Sequence, residues 1–311
     1  LAALAVPAAA LAADAEVYAE VLSAYVYRGA VGNDEAVFQP GLDVAGPFGL
    51  GFSLWSSMNL TDNESAWYPD TAGKWGELNL GLNWTLPWEG PVSLTVGGTY
   101  FVYPQDASEI VTDEETGEMV LDDDGVALVT DAPADDGYEV YVELAAEDVL
   151  LSPTLTLCHD LANTDDWIVL LGIGHSLDLM DKLSLDLGAT VGFAGEYYVA
   201  DNYGGDSGSA WSHVELDAGL NYAVTETLSV GLKAAFSSIL DSDVRDDIDA
   251  EGYYPEKDLF YGGLTAGAIT ALVSNVFLSQ GPWTAWQMVA WGGCGVIGAL
   301  LAWVMGGREL G

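Results

Sequence analysis

Residues 76–88 read GELNLGLNWTLPW (Gly76–Trp88). Leu78, Leu80, Leu82, Trp84 and Leu86 share one parity, and Glu77, Asn79, Gly81, Asn83 and Thr85 share the other. Successive side chains of a strand point to opposite faces, so this stretch predicts a β-strand with one apolar and one polar face. The same alternation recurs along the chain. PVSLTVGGTYFVY sets Val92, Leu94 and Val96 against Ser93, Thr95 and Gly97. GYEVYVELA sets Tyr138, Val140, Val142 and Leu144 against Glu139, Tyr141 and Glu143. KLSLDLGATVGF sets Leu183, Leu185 and Leu187 against Ser184, Asp186 and Gly188. Twelve such segments start near Glu16, Ala36, Leu50, Gly76, Pro91, Gly137, Pro153, Asp166, Lys182, Ala210, Thr227 and Asp258. Most run about 10 residues, the length of a tilted strand crossing a bilayer.

The connections alternate as well. AGPFG, PWEGP, EDVLLSP, SLDLMD and VTE are tight, and between them lie long polar links, with the short ANTD as the exception. A short/long rhythm with an even strand number is the pattern of an outer-membrane barrel, with periplasmic turns and extracellular loops. The fold predicted is therefore all-β: an antiparallel up-and-down transmembrane β-barrel of about 12 strands over residues 13–263. The order of the links places both barrel ends in the periplasm. Aromatics near segment ends (Tyr25, Tyr27, Trp84, Trp88, Tyr100, Tyr103, Trp167, Trp211 and Tyr222) fit two interfacial girdles. A soluble acidic β-sandwich shares the period but has no reason for the alternating link lengths.

Charge narrows the function classes. The chain has 311 residues, 48 Asp plus Glu, 7 Lys plus Arg and a formal charge of −41. Nucleic acid is excluded as a partner, because its phosphates demand Lys and Arg. Residues 1–12, with ALA at Ala10–Ala12, resemble the end of a signal peptide and predict export. The acidic link 105–136 carries twelve acids and no base, which predicts a solvated extracellular loop. The strand parity turns Glu20, Asp43, Glu77, Glu139, Glu143, Asp186, Glu215 and Asp217 inward, with Arg28 and Lys233 as basic exceptions. Acid rings in a narrow pore favour cations, whereas the plain alternative is that these side chains fill and solvate the interior. Twelve strands lie between the packed eight-strand barrels and the open sixteen-strand porins, so the parity leaves open whether the lumen conducts or is plugged.

Other chemistry is thin. Asp247, Asp249, Glu251 and Asp258 loosely follow the spacing of a calcium loop, but without a Glu in the last position; a solvated acidic loop is the default. Ser212 and His213 are adjacent in a strand and so point to opposite faces, and no G-x-S-x-G elbow occurs. His159, His175 and His213 show no ligand spacing with Cys158, Cys294 or one another. The sequence predicts no catalytic residue and no cofactor. The partners it implies are outer-membrane lipid and small solutes.

Residues 16–263 resemble the TorF-type porin family. The motifs that carry this, in family order, are AEVLSAYVYRG (Ala19–Gly29), FQPGLDV (Phe38–Val44), YEVYVEL (Tyr138–Leu144), LSPTLTL (Leu151–Leu157), DKLSLDLGATVGF (Asp181–Phe193), ILDSDVRDDID (Ile239–Asp249) and FYGGL (Phe260–Leu264). The resemblance implies an outer-membrane barrel with a channel role and brings no catalytic residues. Residues 262–307 resemble something else. ALVSNVFLSQGPWTAWQMVAWGGCGVIGALLA (Ala271–Ala302) is similar to part of the membrane-embedded S component of energy-coupling-factor vitamin transporters. Gly262–Ser279 and Ala285–Met305 each approach the ~20 residues of a membrane helix, and QGPW is a turn between them. Residues 264–311 are thus expected to form an apolar helical hairpin of foreign origin, joined near Gly262–Ala268 to a barrel cut at its closing strand. On that segment alone, a vitamin-transporter component is the alternative reading.

Overall fold

A computed structural model describes residues 13–62, 72–88, 90–104, 106–110, 129–133, 135–204, 208–251 and 256–272. The elements in chain order are β1 (Ala13–Leu22), β2 (Tyr25–Tyr27), β3 (Ala30–Asn33), β4 (Val37–Ala45), β5 (Leu50–Asn59), β6 (Trp75–Thr85), β7 (Ser93–Val102), β8 (Asp106–Ile110), β9 (Val129–Pro133), β10 (Gly137–Ala145), β11 (Thr154–Asp160) and β12 (Trp167–Met180). They continue with β13 (Leu183–Ala194), helix α1 (Glu196–Tyr203), β14 (Ala210–Ala223), β15 (Leu228–Ile239), helix α2 (Ser242–Glu251) and β16 (Asp258–Leu272).

Twelve of these strands form one closed antiparallel barrel in the order β1-β16-β15-β14-β13-β12-β11-β10-β7-β6-β5-β4, with β4 returning to β1. Each expected alternating segment supplies one barrel strand, and every barrel strand pairs with its sequence neighbours. The alternative of two stacked sheets is overturned, because the sheet closes on itself. The other strands form two small hairpins, β2–β3 and β8–β9. Among the described residues no helix is long and apolar enough to cross a membrane.

The apolar parity faces outward. Leu82 is 68% exposed and Leu264 63%, and Val17, Val142, Leu171, Leu216 and Leu232 are exposed too. Exposed aliphatic side chains on most barrel strands suit lipid rather than water. Aromatics band the two ends. Trp84 and Trp88 mark the short-turn end, where their indole N–H groups donate to the carbonyls of Phe48 (3.1 Å) and Val92 (2.7 Å). At the long-link end the rings of Trp167, Phe193 and Trp211 form a ladder with centroids 5.7 and 5.2 Å apart.

Several expectations are corrected. Residues 262–272 are strand, not helix: β16 pairs with β1 from Leu22↔Gly263 to Ala13↔Leu272 and with β15 on its other side. The barrel is therefore not cut at its closing strand. Strand pairing on both sides overrides the helix-like Ala/Gly composition of TAGAITAL, because an unpaired edge in hydrocarbon has no water to bond. Residues 273–311, with the remainder of the expected hairpin, lie outside the described residues, as do residues 1–12. β1 ends at Leu22 and the chain turns into β2–β3. The ends of the acidic link 105–136 pair as β8 and β9 rather than forming loop. Two of the polar links contain helices, α1 and α2.

Replacing outward Leu216, near the middle of β14, by Arg should lower stability by about 2–4 kcal/mol. Urea titration in vesicles, with heat-modifiable gel migration as the readout of the closed barrel, checks this.

Candidate functional site: the barrel lumen

The lumen has two unlike halves. At the long-link end it is filled. Residues 23–36 connect β1 to its neighbour β4, yet the β2–β3 hairpin they carry folds into the barrel. The Arg28 guanidinium donates to both oxygens of Glu139 on β10, at 2.9 and 2.8 Å, and to the Tyr198 hydroxyl on α1 at 3.1 Å. It also lies 3.3 Å from the buried thiol of Cys158 on β11 and stacks 4.7 Å from the Tyr27 ring centroid. The Tyr203 hydroxyl donates to the Arg28 carbonyl at 2.6 Å. Burial pushes the hydroxyls of Tyr198 and Tyr203 up in pKa, so both remain protonated, Tyr198 accepting from Arg28 and Tyr203 donating to its carbonyl. Further along the same side of the ring, the Tyr25 hydroxyl donates to Glu77 on β6 at 2.6 Å and its ring packs on Trp55 of β5. Asn33 donates to Asn59 at 2.8 Å.

Around these polar ties lies an apolar cluster that includes Ala30, Ile168, Tyr198, Val199, Tyr203, Ile239, Val244 and Ile248. It joins the hairpin to α1 and α2. Both helices drop buried aliphatic and aromatic side chains onto the mouth of the barrel. α1 is positioned by Asp166, whose carboxylate accepts from the N–H groups of Tyr197 and Tyr198 at 2.8 and 3.0 Å in its first turn.

Glycine at position 29 is required by this packing. Its φ is 90°, and a Cβ there would lie 2.5 Å from Cβ of His213. The wall at that point is bulged. Val191 pairs with Val214 and Phe193 with Trp211, so Gly192 alone opposes Ser212 and His213. Sequence parity puts Ser212 and His213 on opposite faces; the bulge instead brings Ser212 Oγ within 3.0 Å of His213 Nδ1, with both side chains buried. Their place is the seat of the hairpin on the wall.

At the short-turn end the lumen is open and acidic. A cavity of about 310 Å³ is lined by Glu16, Tyr18, Glu20, Asp186, Asp217 and Lys233 among others. Lys233 pairs with Glu20 at 3.5 Å, and Asn221 donates to Asp186 at 2.6 Å. Tyr18 lies over Gly41, where a Cβ would fall 2.2 Å from its ring.

Of the residues expected to line a pore, the structure gathers Glu20, Asp186, Asp217 and Lys233 around this cavity. Asp43 is the register partner of Glu16 on the same wall, and Glu215 hydrogen-bonds Tyr261. Glu143 accepts from Thr156 at 3.2 Å. Glu77, Glu139 and Arg28 are taken up by the filled half. Tyr25 and Tyr27 are not girdle residues but hairpin residues inside the lumen. Glu16 was missed, although its parity with Tyr18 and Glu20 marks it as inward. The calcium-loop reading is corrected: Asp247, Asp249 and Glu251 lie on α2, while Asp249 pairs with Lys257 and Asp258 with Arg245 (2.6 Å). An EF-type loop needs ligands from a turn, which a helix does not present. Among the described residues no group of three or more His, Cys, Asp or Glu could hold a metal ion.

No family model matches the sequence, and no curated protein matches it. Among solved structures, the NanC porin is similar at 11% identity and a TM-score of 0.41, over 84% of this chain and 98% of that one. An outer membrane channel from Pseudomonas putida F1 is similar at 11% identity and a TM-score of 0.41, over 86% and 97%. The β domain of the Bordetella autotransporter BrkA is similar at 12% identity and a TM-score of 0.37, over 83% and 98%. The barrel assignment rests on the strand pairing within this chain.

Gly29→Ala should lose more stability than Gly73→Ala. Gly73 also has positive φ (74°) but nothing within 4 Å of a Cβ. Both share a backbone penalty of about 1 kcal/mol, and only Gly29→Ala adds an overpacking cost of about 1–3 kcal/mol. Denaturant midpoints of the two variants measure the difference.

Proposed function

We propose that this protein is an outer-membrane, porin-like channel of a Gram-negative-type bacterium, passing small solutes by diffusion with a preference for cations. The observation that carries the reading is the pairing of a closed barrel, apolar outside, with a lumen cavity whose walls hold Glu16, Glu20, Asp186 and Asp217 against one base among the described residues, Lys233. Carboxylates facing a narrow water-filled space hold a negative potential there, which concentrates cations and repels anions. The resemblance of residues 16–263 to TorF-type porins supports the same role. The apolar exterior speaks against a soluble acidic β protein, since water would meet exposed aliphatic side chains on most barrel strands. The vitamin-transporter reading has its support in residues beyond Leu272.

Charge removal at the cavity tests the preference. In planar bilayers under a salt gradient, Glu16→Gln, Asp186→Asn and Asp217→Asn combined should move the reversal potential toward zero relative to the unaltered protein. An unchanged reversal potential would remove these residues from the selectivity filter. The preference of the unaltered protein should also shrink between 0.1 and 1 M salt, as the screening length falls from about 10 Å to about 3 Å.

A further inference from the structure

We propose that the Tyr25–Asn33 hairpin is a displaceable plug, and that the Arg28–Glu139 pair is the latch that sets how often the long-link end of the lumen is open. This rests on the channel reading above.

The hairpin crosses the lumen rather than lining it. It leaves β1 and returns at β4, which are hydrogen-bonded neighbours. Its contacts lie on other walls: Glu77 on β6, Glu139 on β10, Cys158 on β11 and His213 on β14. Going one way from β1, β10 comes after β4, β5, β6 and β7; going the other, β14 comes after β16 and β15. A segment that touches both sides of the ring obstructs it.

The hairpin also has the freedom to leave. Neighbouring strands sit about 4.8 Å apart, whereas each residue of extended chain reaches about 3.3 Å, so residues 23–36 are far longer than the gap they bridge. No barrel strand need break for the segment to swing out.

What holds it in is concentrated at Arg28. This residue has φ 50°, an uncommon conformation for a side-chain-bearing residue, which persists where surrounding contacts impose it. Those contacts are the two hydrogen bonds to Glu139, the bond to Tyr198 and the Tyr203 bond to the Arg28 carbonyl. The Arg28 and Glu139 side chains are only 12% and 8% exposed. Removing one partner leaves the other charge buried and unpaired, a state relieved when the hairpin moves out and water enters. Bulk salt screens a buried pair little, so the latch differs from the cation preference in being insensitive to ionic strength.

The test uses the full chain, folded into planar bilayers, with heat-modifiable migration confirming the barrel in each variant. Arg28→Ala should raise the fraction of time open at least about tenfold. Arg28→Ala combined with Glu139→Ala should open no further than Arg28→Ala, since the two residues form one latch. A variant with residues 24–35 replaced by a short Gly-Ser linker should be open throughout. If the linker variant and Arg28→Ala both match the unaltered protein in conductance and open time, the plug is overturned and the channel reading stands. If the linker variant is open but Arg28→Ala matches the unaltered protein, the latch is overturned. If the linker variant folds yet passes no current, the channel reading fails, and the plug with it.

Discussion

Backbone closure is the constraint on which the rest of this protein depends. In hydrocarbon a strand edge has no water to bond, and each unpaired N–H or C=O costs several kcal/mol. The last described strand meets that constraint by pairing with β15 from Asp258 to Ala268 and with β1 from Gly263 to Leu272. Its composition, rich in Ala and Gly, has no strong strand preference of its own. The demand for partners from two flanking strands decides its conformation. Once the ring is closed, side-chain parity turns aliphatic side chains outward on most barrel strands and turns strand acids such as Glu20, Asp186 and Asp217 toward the lumen.

Inside, the same residue type does two different jobs according to height. Toward the short turns, Glu16, Asp186 and Asp217 border a cavity, and Lys233 offsets only part of their charge. Toward the long links, Glu77 and Glu139 serve as acceptors for Tyr25 and Arg28. A carboxylate next to open water sustains a field; one under a plug needs a specific donor, because burial without one is costly. The filled half thus has the features of a small protein core, with an apolar cluster and a paired charge, built from links packed against wall residues such as Cys158, Ile168 and Ile239. Glycines allow both halves to form, at Gly29 in the hairpin turn against His213 and at Gly41 beneath Tyr18.

The barrel itself was largely legible in the chain. Alternation in Gly76–Thr85, Gly137–Ala145 and Leu183–Phe193 marks strands directly, and parity gives the inward acids, including Glu16, which the same rule would have found. What was not legible lies where local pattern and tertiary demand part company. Tyr25 and Tyr27 alternate as a strand does, so nothing local separates them from β1. Ser212 and His213 obey parity on paper, and only the mismatch with β13 at Gly192 bulges them together. Asp247, Asp249 and Glu251 imitate a ligand loop, but their helix is fixed by Val244 and Ile248 packing into the mouth.

The sequence by itself determined the number of barrel strands, the apolar face of each and which end carries the long links. These follow from periodicity and composition, which act over a few neighbouring residues. The tertiary structure alone decided that Arg28 meets Glu139, that two helices and a hairpin fill one end, and that β16 runs on as strand to Leu272. Those outcomes depend on groups far apart in the chain, brought within hydrogen-bonding range only when the ring closes, and no local pattern encodes a distance across a lumen.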